Sequence, residues 1–230
     1  MITVRAIETI RQSDIIICRP ETRQEFSQYM QGKTFWNGAF REWRTYRKDC
    51  ASIEDKDLRA ACQHNQEVRD ALAAKIRQAV KEGKTVSVLG SGDLLIYGGP
   101  YRWYMEELKD LDIKIIPGVS CLNAANAALG RDIMTGGETH STVMTTYREI
   151  DKMAAAHPTM VIFTMHTKFP DLVEKLKAHY PMETPIAIVF HAGYKQKEQI
   201  ISGTLADILE KTGKMKFPFE HLVYVGNFLQ

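Results

Sequence analysis

Long hydrophobic runs are missing from this 230-residue sequence: none approaches the roughly 20 apolar residues that span a bilayer. The opening, MITVRAIETIRQSD, is charged and carries no signal-peptide core, so a cytoplasmic protein that does not enter the membrane is expected. Cysteine is scarce. The four (Cys18, Cys50, Cys62, Cys121) form no CxxC pair and no metal-ligand spacing, which excludes a metal centre by sequence and predicts buried free thiols in a reducing compartment. Charge of one sign is lacking too. Thirty Lys and Arg face 28 Asp and Glu, a net charge of +2, which argues against a broad polyanion-binding field and against nucleic acid as partner. Repeats and low-complexity tracts are absent. What remains, 44% apolar and 25% charged residues, is the composition of a globular chain with room for one large or two ordinary domains.

The order of elements predicts an α/β protein. ITVRAIETIRQS reads as an amphipathic helix, and DIIIC as a strand covered on both faces. A polar helix (ETRQEFSQYMQ), an extended KTFW and an irregular charged stretch from 37 to 62 follow. Val68, Leu72, Ile76 and Val80, spaced by four, mark a helix over about 54–82, which Gly83 ends before the strand TVSVL. Next come a glycine turn, a helix over YRWYMEELKDL, a predicted strand IKII, the turn PGVS and a helix of small residues, CLNAANAALG. Such alternation predicts right-handed crossovers and a parallel sheet. After Gly136 the strands STVMTTY, TMVIFTM, PIAIVF, EQIISGTL and HLVYVG outnumber the helices, and two connections are too short for a crossover, so some pairs must be antiparallel. We expect a parallel-sheet domain over 1–116 and a mixed α/β domain over 117–230.

Four stretches fall at the carboxyl ends of predicted strands, where α/β proteins place ligands: GSGDLLIYGG, PGVSCLNAA, FTMHT and VFHAGYKQ. Gly90 and Gly92 give G-x-G, yet Leu95 stands where a dinucleotide fingerprint needs its third glycine, and no Gly-Lys-Ser/Thr follows. An acid in the turn, Asp93, repels a pyrophosphate and suits a cationic or hydroxyl-rich ligand; taken alone it equally reads as a cap on backbone donors. Met165 taken alone reads as core. FREWRTYRKD gathers Arg41, Arg44, Arg47 and Lys48 around Trp43 and Tyr46, which fits a carboxylate-rich macrocycle, an RNA, or a solvated face.

Together, GSGDLLIYGG, IIPGVSCLNAANAALG, MVIFTM, PIAIVFHAGYKQKEQIISGTLADI and HLVYVGNF resemble, in order, the successive motifs of the tetrapyrrole (corrin/porphyrin) methylase family. The resemblance covers nearly the whole chain. It implies S-adenosylmethionine (SAM) in a cleft between two α/β domains, and a homodimer. Carried over residue by residue, the cofactor contacts are Ser91, Gly92, Asp93 and Ile96 in the glycine loop, Ser120 and Cys121 after the PGV turn, Met165 at the adenine pocket and Ala192 beneath it. Leu94 departs from the family's Gly-Asp-Pro loop, and the family's opening strand with its GPGD loop is expected to be lacking here.

The function implied is SAM-dependent methylation of a tetrapyrrole of the precorrin type in cobalamin synthesis, an alkyl displacement for which no catalytic residue is assigned. Methylation of rRNA or protein by the same fold, and a non-catalytic SAM- or tetrapyrrole-binding homologue, remain alternatives. Tyr97 and His140 fall near the expected cleft, without an assigned role.

Overall fold

A computed structural model describes residues 1–135, 140–164 and 166–229. The chain divides into two compact units, Met1–Ser120 and Cys121–Gln230. The turn Pro117–Ser120, which the sequence placed at the head of the second domain, belongs to the first unit.

In the first unit, Thr3 caps helix α1 (Val4–Gln12) by accepting from the Ala6 N–H at 3.1 Å, and the chain then enters strand β1 (Ile15–Ile17). Helix α2 (Pro20–Glu25) and strand β2 (Thr34–Trp36) follow. Helix α3 (Lys56–Lys81) starts on the Asp55 carboxylate, which accepts from the N–H groups of Asp57 and Leu58, and stops before Gly83 at φ 78°. Strand β3 (Val86–Val88) and helix α4 (Arg102–Glu107) complete the unit. The strands pair in the order β2-β1-β3, all parallel, with Ile16 opposite both Phe35 and Ser87. All three isoleucines of β1 are buried, as a central strand between two helical layers requires. Ile17 packs with Leu72, Ile76 and Trp103 on one side, and Ile16 with Ile10 and Met30 on the other.

Two expectations fail here. Ile113–Ile116, predicted as a strand, makes no ladder, and Ile113 and Ile115 are 40% and 45% exposed. An apolar run becomes a strand only beside an edge that takes its hydrogen bonds, and none of the described strands pairs with it. The cysteines are not all buried thiols either: Cys50 and Cys62 form a disulfide, and Cys121 is exposed. A 3₁₀ turn at Cys50–Ser52 lies against the first turns of α3, which brings together two sulfurs that the sequence separates by 12 residues.

In the second unit, helix α5 (Cys121–Leu129) precedes strand β4 (Thr142–Thr146), helix α6 (Ile150–Met153), strand β5 (Thr159–Phe163) and helix α7 (Phe169–Lys177). Strands β6 (Pro185–Phe190) and β7 (Gln199–Thr204), helix α8 (Ile208–Thr212) and strand β8 (His221–Val225) follow. The sheet order is β4-β5-β8-β6-β7, with β4 and β5 parallel and the other pairs antiparallel, so the mixed sheet is present. Alternate residues feed two cores. Met160, Ile162, Ile186, Ile188, Val223 and Val225 meet α6, α7 and α8, while Val161, Ala187, Val189 and Tyr224 meet the small residues of α5.

Candidate functional site

The glycine turn begins where β3 ends. Leu89 still donates to the Ile17 carbonyl at 2.8 Å, and then the chain folds back on itself. Gly90 makes room for the Tyr101 phenol: a Cβ there would overlap the ring and the Leu94 side chain. Gly92 adopts φ 72°, a left-handed backbone that glycine takes without strain; it is exposed, and a Cβ there would reach only van der Waals contact with the Val119 carbonyl, at 3.8 Å. Asp93 is half-buried, and its Oδ1 accepts from the Leu95 N–H at 2.9 Å, closing an Asx turn. Ile96 donates to the Asp93 carbonyl at 3.3 Å. Tyr97 is also left-handed, at φ 70°, and Gly98 lies so close to the Leu94 carbonyl that no Cβ fits.

The second piece of the loop site is Pro117–Ser120. Gly118 packs on the Gly92 carbonyl so tightly that a Cβ would strike that oxygen. Thr3 Oγ1 donates to the Pro117 carbonyl at 3.4 Å. The structure therefore brings Ser91, Gly92, Asp93 and Ile96 together with the turn that carries Ser120. Ser91 and Gly92 are exposed, Ile96 is half-buried and Ser120 is buried.

The remaining predicted contacts lie in the second unit. Cys121 is the first residue of α5. Ala192, just past β6, is half-buried and packs in the same apolar cluster as Leu122 and Ala125 of that helix. Met165 lies outside the described residues. The segment that leads to it is held by Thr164, which hydrogen-bonds His221 Nε2 at 2.5 Å. His221 Nδ1 donates to the Pro218 carbonyl at 2.6 Å, so in the neutral ring Nε2 accepts from the threonine. Burial holds its pKa below the usual histidine range. Since the unfolded chain binds that proton more tightly, this histidine stabilises the fold fully above pH about 6.5, and its contribution is lost as pH falls through the lower folded value. Melting curves of the wild type and His221→Gln from pH 7.5 to 5 test this. The wild type should lose melting temperature faster than the variant on acidification; parallel curves would sink the assignment.

Two stretches named by sequence sort differently. His140 is exposed, with Nδ1 3.1 Å from the Met134 carbonyl. In the basic stretch, Arg47 forms a bidentate pair with Glu106, at 2.7 and 3.0 Å, so it is not an open cation. Trp43 packs under Gly99, which sets the 3₁₀ turn Glu42–Thr45 beside the glycine loop. The buried Arg69 of α3 anchors that turn through the Glu42 carbonyl and the Thr45 hydroxyl. Neither the left-handed Tyr97 nor the Gly118–Gly92 contact was visible in the sequence; tyrosine does not signal positive φ, and the second contact joins positions 26 apart.

Comparison with known proteins decides the family. The model of the tetrapyrrole (corrin/porphyrin) methylases matches residues 1–209. The chain belongs to the tetrapyrrole methylases. A cobalt-precorrin-4 C(11)-methyltransferase from Methanocaldococcus jannaschii is 36% identical over 165 residues, which cover 66% of this chain. The matched stretch spans 62% of that relative's length. Among solved structures, a cobalt precorrin-4 methyltransferase superposes with a TM-score of 0.74 at 19% identity, over 99% of this chain and 90% of that one. A uroporphyrin-III C-methyltransferase from Thermus thermophilus, solved with S-adenosyl homocysteine, gives 0.67 at 15% identity, over 99% and 91%. The α/β tetrapyrrole methylase fold is thus established for this member, and among the described residues no helix is long and apolar enough to cross a membrane.

Proposed function

We propose that this tetrapyrrole methylase is a SAM-dependent methyltransferase that acts on a ring carbon of a precorrin-type tetrapyrrole in cobalamin synthesis. The observation that carries this reading is the exposed, left-handed turn at Gly92, with a carboxylate beside it and the Gly118 turn packed on its carbonyl. That donor set fits SAM: exposed backbone at Ser91 and Gly92 admits a close ligand, and Asp93 offers a negative charge to a cationic group. SAM supplies a methyl group already activated by its sulfonium charge. The protein's part is to align the acceptor carbon with the methyl–sulfur bond, which brings proximity and orientation without a protein nucleophile. In this reading Ser91, Gly92, Asp93, Ile96 and Ser120 are the contacts from the first unit, and Cys121, Met165 and Ala192 those from the second. A methyl-transfer assay with labelled SAM against a precorrin series and against rRNA tests the reading. Label in the tetrapyrrole supports it, and label in RNA alone overturns it.

Asp93 can be tested apart from its capping bond. Asp93→Asn keeps an oxygen for the Leu95 N–H and removes the charge, whereas Asp93→Ala removes both. Both variants should weaken SAM by about 1–3 kcal/mol, the scale of a charged hydrogen bond. Calorimetry that finds Asp93→Asn equal to wild type would reduce Asp93 to a cap. We extend the proposal to a cytoplasmic homodimer, on the family resemblance; light scattering tests the stoichiometry. The Cys50–Cys62 pair bears on the compartment, because a glutathione-buffered cytoplasm keeps such thiols reduced.

A further inference from the structure

Arg19 is absent from every motif above, yet it stands at the carboxyl edge of the first unit's sheet. It follows β1, the central strand, with the glycine turn after β3 on one side and the Gly38–Phe40 segment after β2 on the other. Its guanidinium carbon lies 5.6 Å from the centroid of the Phe40 ring. Phe40 in turn meets Tyr101 edge-on at 5.8 Å, and Tyr101 fills the space that Gly90 leaves. Contacts therefore run without a break from Arg19 to the glycine turn. Phe40 is 7% exposed, so the platform is fixed, while Arg19 itself is exposed. Burial raises the Tyr101 hydroxyl above its ordinary range, so that ring stays neutral and leaves the arginine's charge uncompensated.

Most neighbouring arginines are spent. Arg47 and Arg102 share Glu106, and Arg77 pairs with Asp110. Among the described residues, no carboxylate stands within ion-pair distance of Arg19, nor of Arg41, which directly follows Phe40 in the chain. A guanidinium that rests over an aromatic ring without an ion-pair partner keeps its planar fork open, and that fork takes a carboxylate by two parallel hydrogen bonds.

We propose that Arg19, braced on Phe40, binds a peripheral carboxylate of the tetrapyrrole acceptor and so sets which acidic side chain of the macrocycle lies beside the glycine turn. The proposal rests on the methyltransferase reading above and names a specificity-determining residue for it. Biosynthetic tetrapyrroles carry acetate and propionate groups around the ring, so a fixed cation at this edge selects orientation as well as charge.

Arg23 provides the matched control. It lies on α2, one turn further along, and stacks on Phe35 at 3.7 Å, but Phe35 belongs to the core on the opposite face of the sheet. Uroporphyrin, an eight-carboxylate porphyrin, serves as the probe, with binding read by fluorescence quenching at low and physiological salt and SAM affinity read by calorimetry. Arg19→Ala should weaken uroporphyrin by roughly tenfold or more, the scale of one charge-assisted pair, with SAM affinity unchanged. Arg19→Lys, which keeps the charge without the fork, should fall between, and Arg23→Ala should bind as wild type. Wild-type binding by Arg19→Ala, or an equal loss in Arg23→Ala, overturns this inference alone. A wild-type protein that binds no uroporphyrin and methylates no tetrapyrrole overturns it together with the methyltransferase reading.

Discussion

Gly118→Ala is expected to cut SAM affinity by more than thirtyfold, a loss of about 2–3 kcal/mol at the upper end of what overpacking costs. Gly118 is not among the residues with positive φ, so its backbone is open to alanine; the obstacle is space. The added Cβ would meet the Gly92 carbonyl oxygen, a backbone atom that no rotamer change can move. Either Pro117–Ser120 or Ser91–Asp93 must shift, and both carry proposed contacts to the cofactor. A loss of fold stability would accompany this, so a control is needed. Gly32→Ala strains a left-handed backbone at φ 71° but meets no atom within 4 Å, far from the loop in sequence. It should cost about 1 kcal/mol of stability through backbone strain alone and leave SAM binding intact. Equal SAM affinity in wild type and Gly118→Ala, measured on folded protein, would remove the turn from the site.

The same contrast explains what the sequence could and could not show. Strands β1, β5, β6 and β8 were legible because each is buried on both faces, and such burial leaves a continuous apolar run. Ile113–Ile116 carries the same kind of run and forms no ladder, because pairing depends on a neighbour and not on composition. Helix α3 was legible from Val68, Leu72, Ile76 and Val80, but residues spaced by four drift about 40° around a helix at each step. Leu72 and Ile76 are therefore buried, while Val80 has turned out to 39% exposure. In the site, Gly90, Gly92 and Asp93 announced a turn because glycine marks close approach directly. The line of contacts from Arg19 through Phe40 to Tyr101 gave no sign, since three ordinary residues far apart in sequence acquire a role only when β1, β2 and the loop after β3 lie side by side. The disulfide was hidden for a similar reason: eleven residues lie between Cys50 and Cys62, and the two sulfurs meet only once the 3₁₀ turn at Cys50–Ser52 packs on the start of α3.

That disulfide carries the other large effect. Reduction of Cys50–Cys62 should lower the stability of the first unit by about 3 kcal/mol, the loop-closure entropy of a ring of this size. Both residues are buried, Cys50 at 7% and Cys62 at 0% exposure, so the bond is shielded and should resist mild reductant in the folded state. Its loss loosens the stretch between Asp49 and Asp55, which keeps its 3₁₀ and capping bonds and the Arg59 side chain of α3, donating to the Ile53 and Glu54 carbonyls at 2.7 and 3.1 Å. The turn Glu42–Thr45 should stay in place, because Arg69 anchors it from α3 without help from the sulfurs. Thermal melting of the oxidised protein, of the reduced protein and of the Cys50→Ala, Cys62→Ala double variant separates the bond from its packing. The oxidised form should melt highest, the other two should lie close together, and porphyrin binding should be alike in all three. Titration against glutathione buffers then states at which redox poise each form persists: a pair reduced at a given poise works there at the lower stability, with the first unit's ligand surface intact. Identical melting of oxidised and reduced protein would show that the bond constrains nothing that α3 and Arg69 do not already hold.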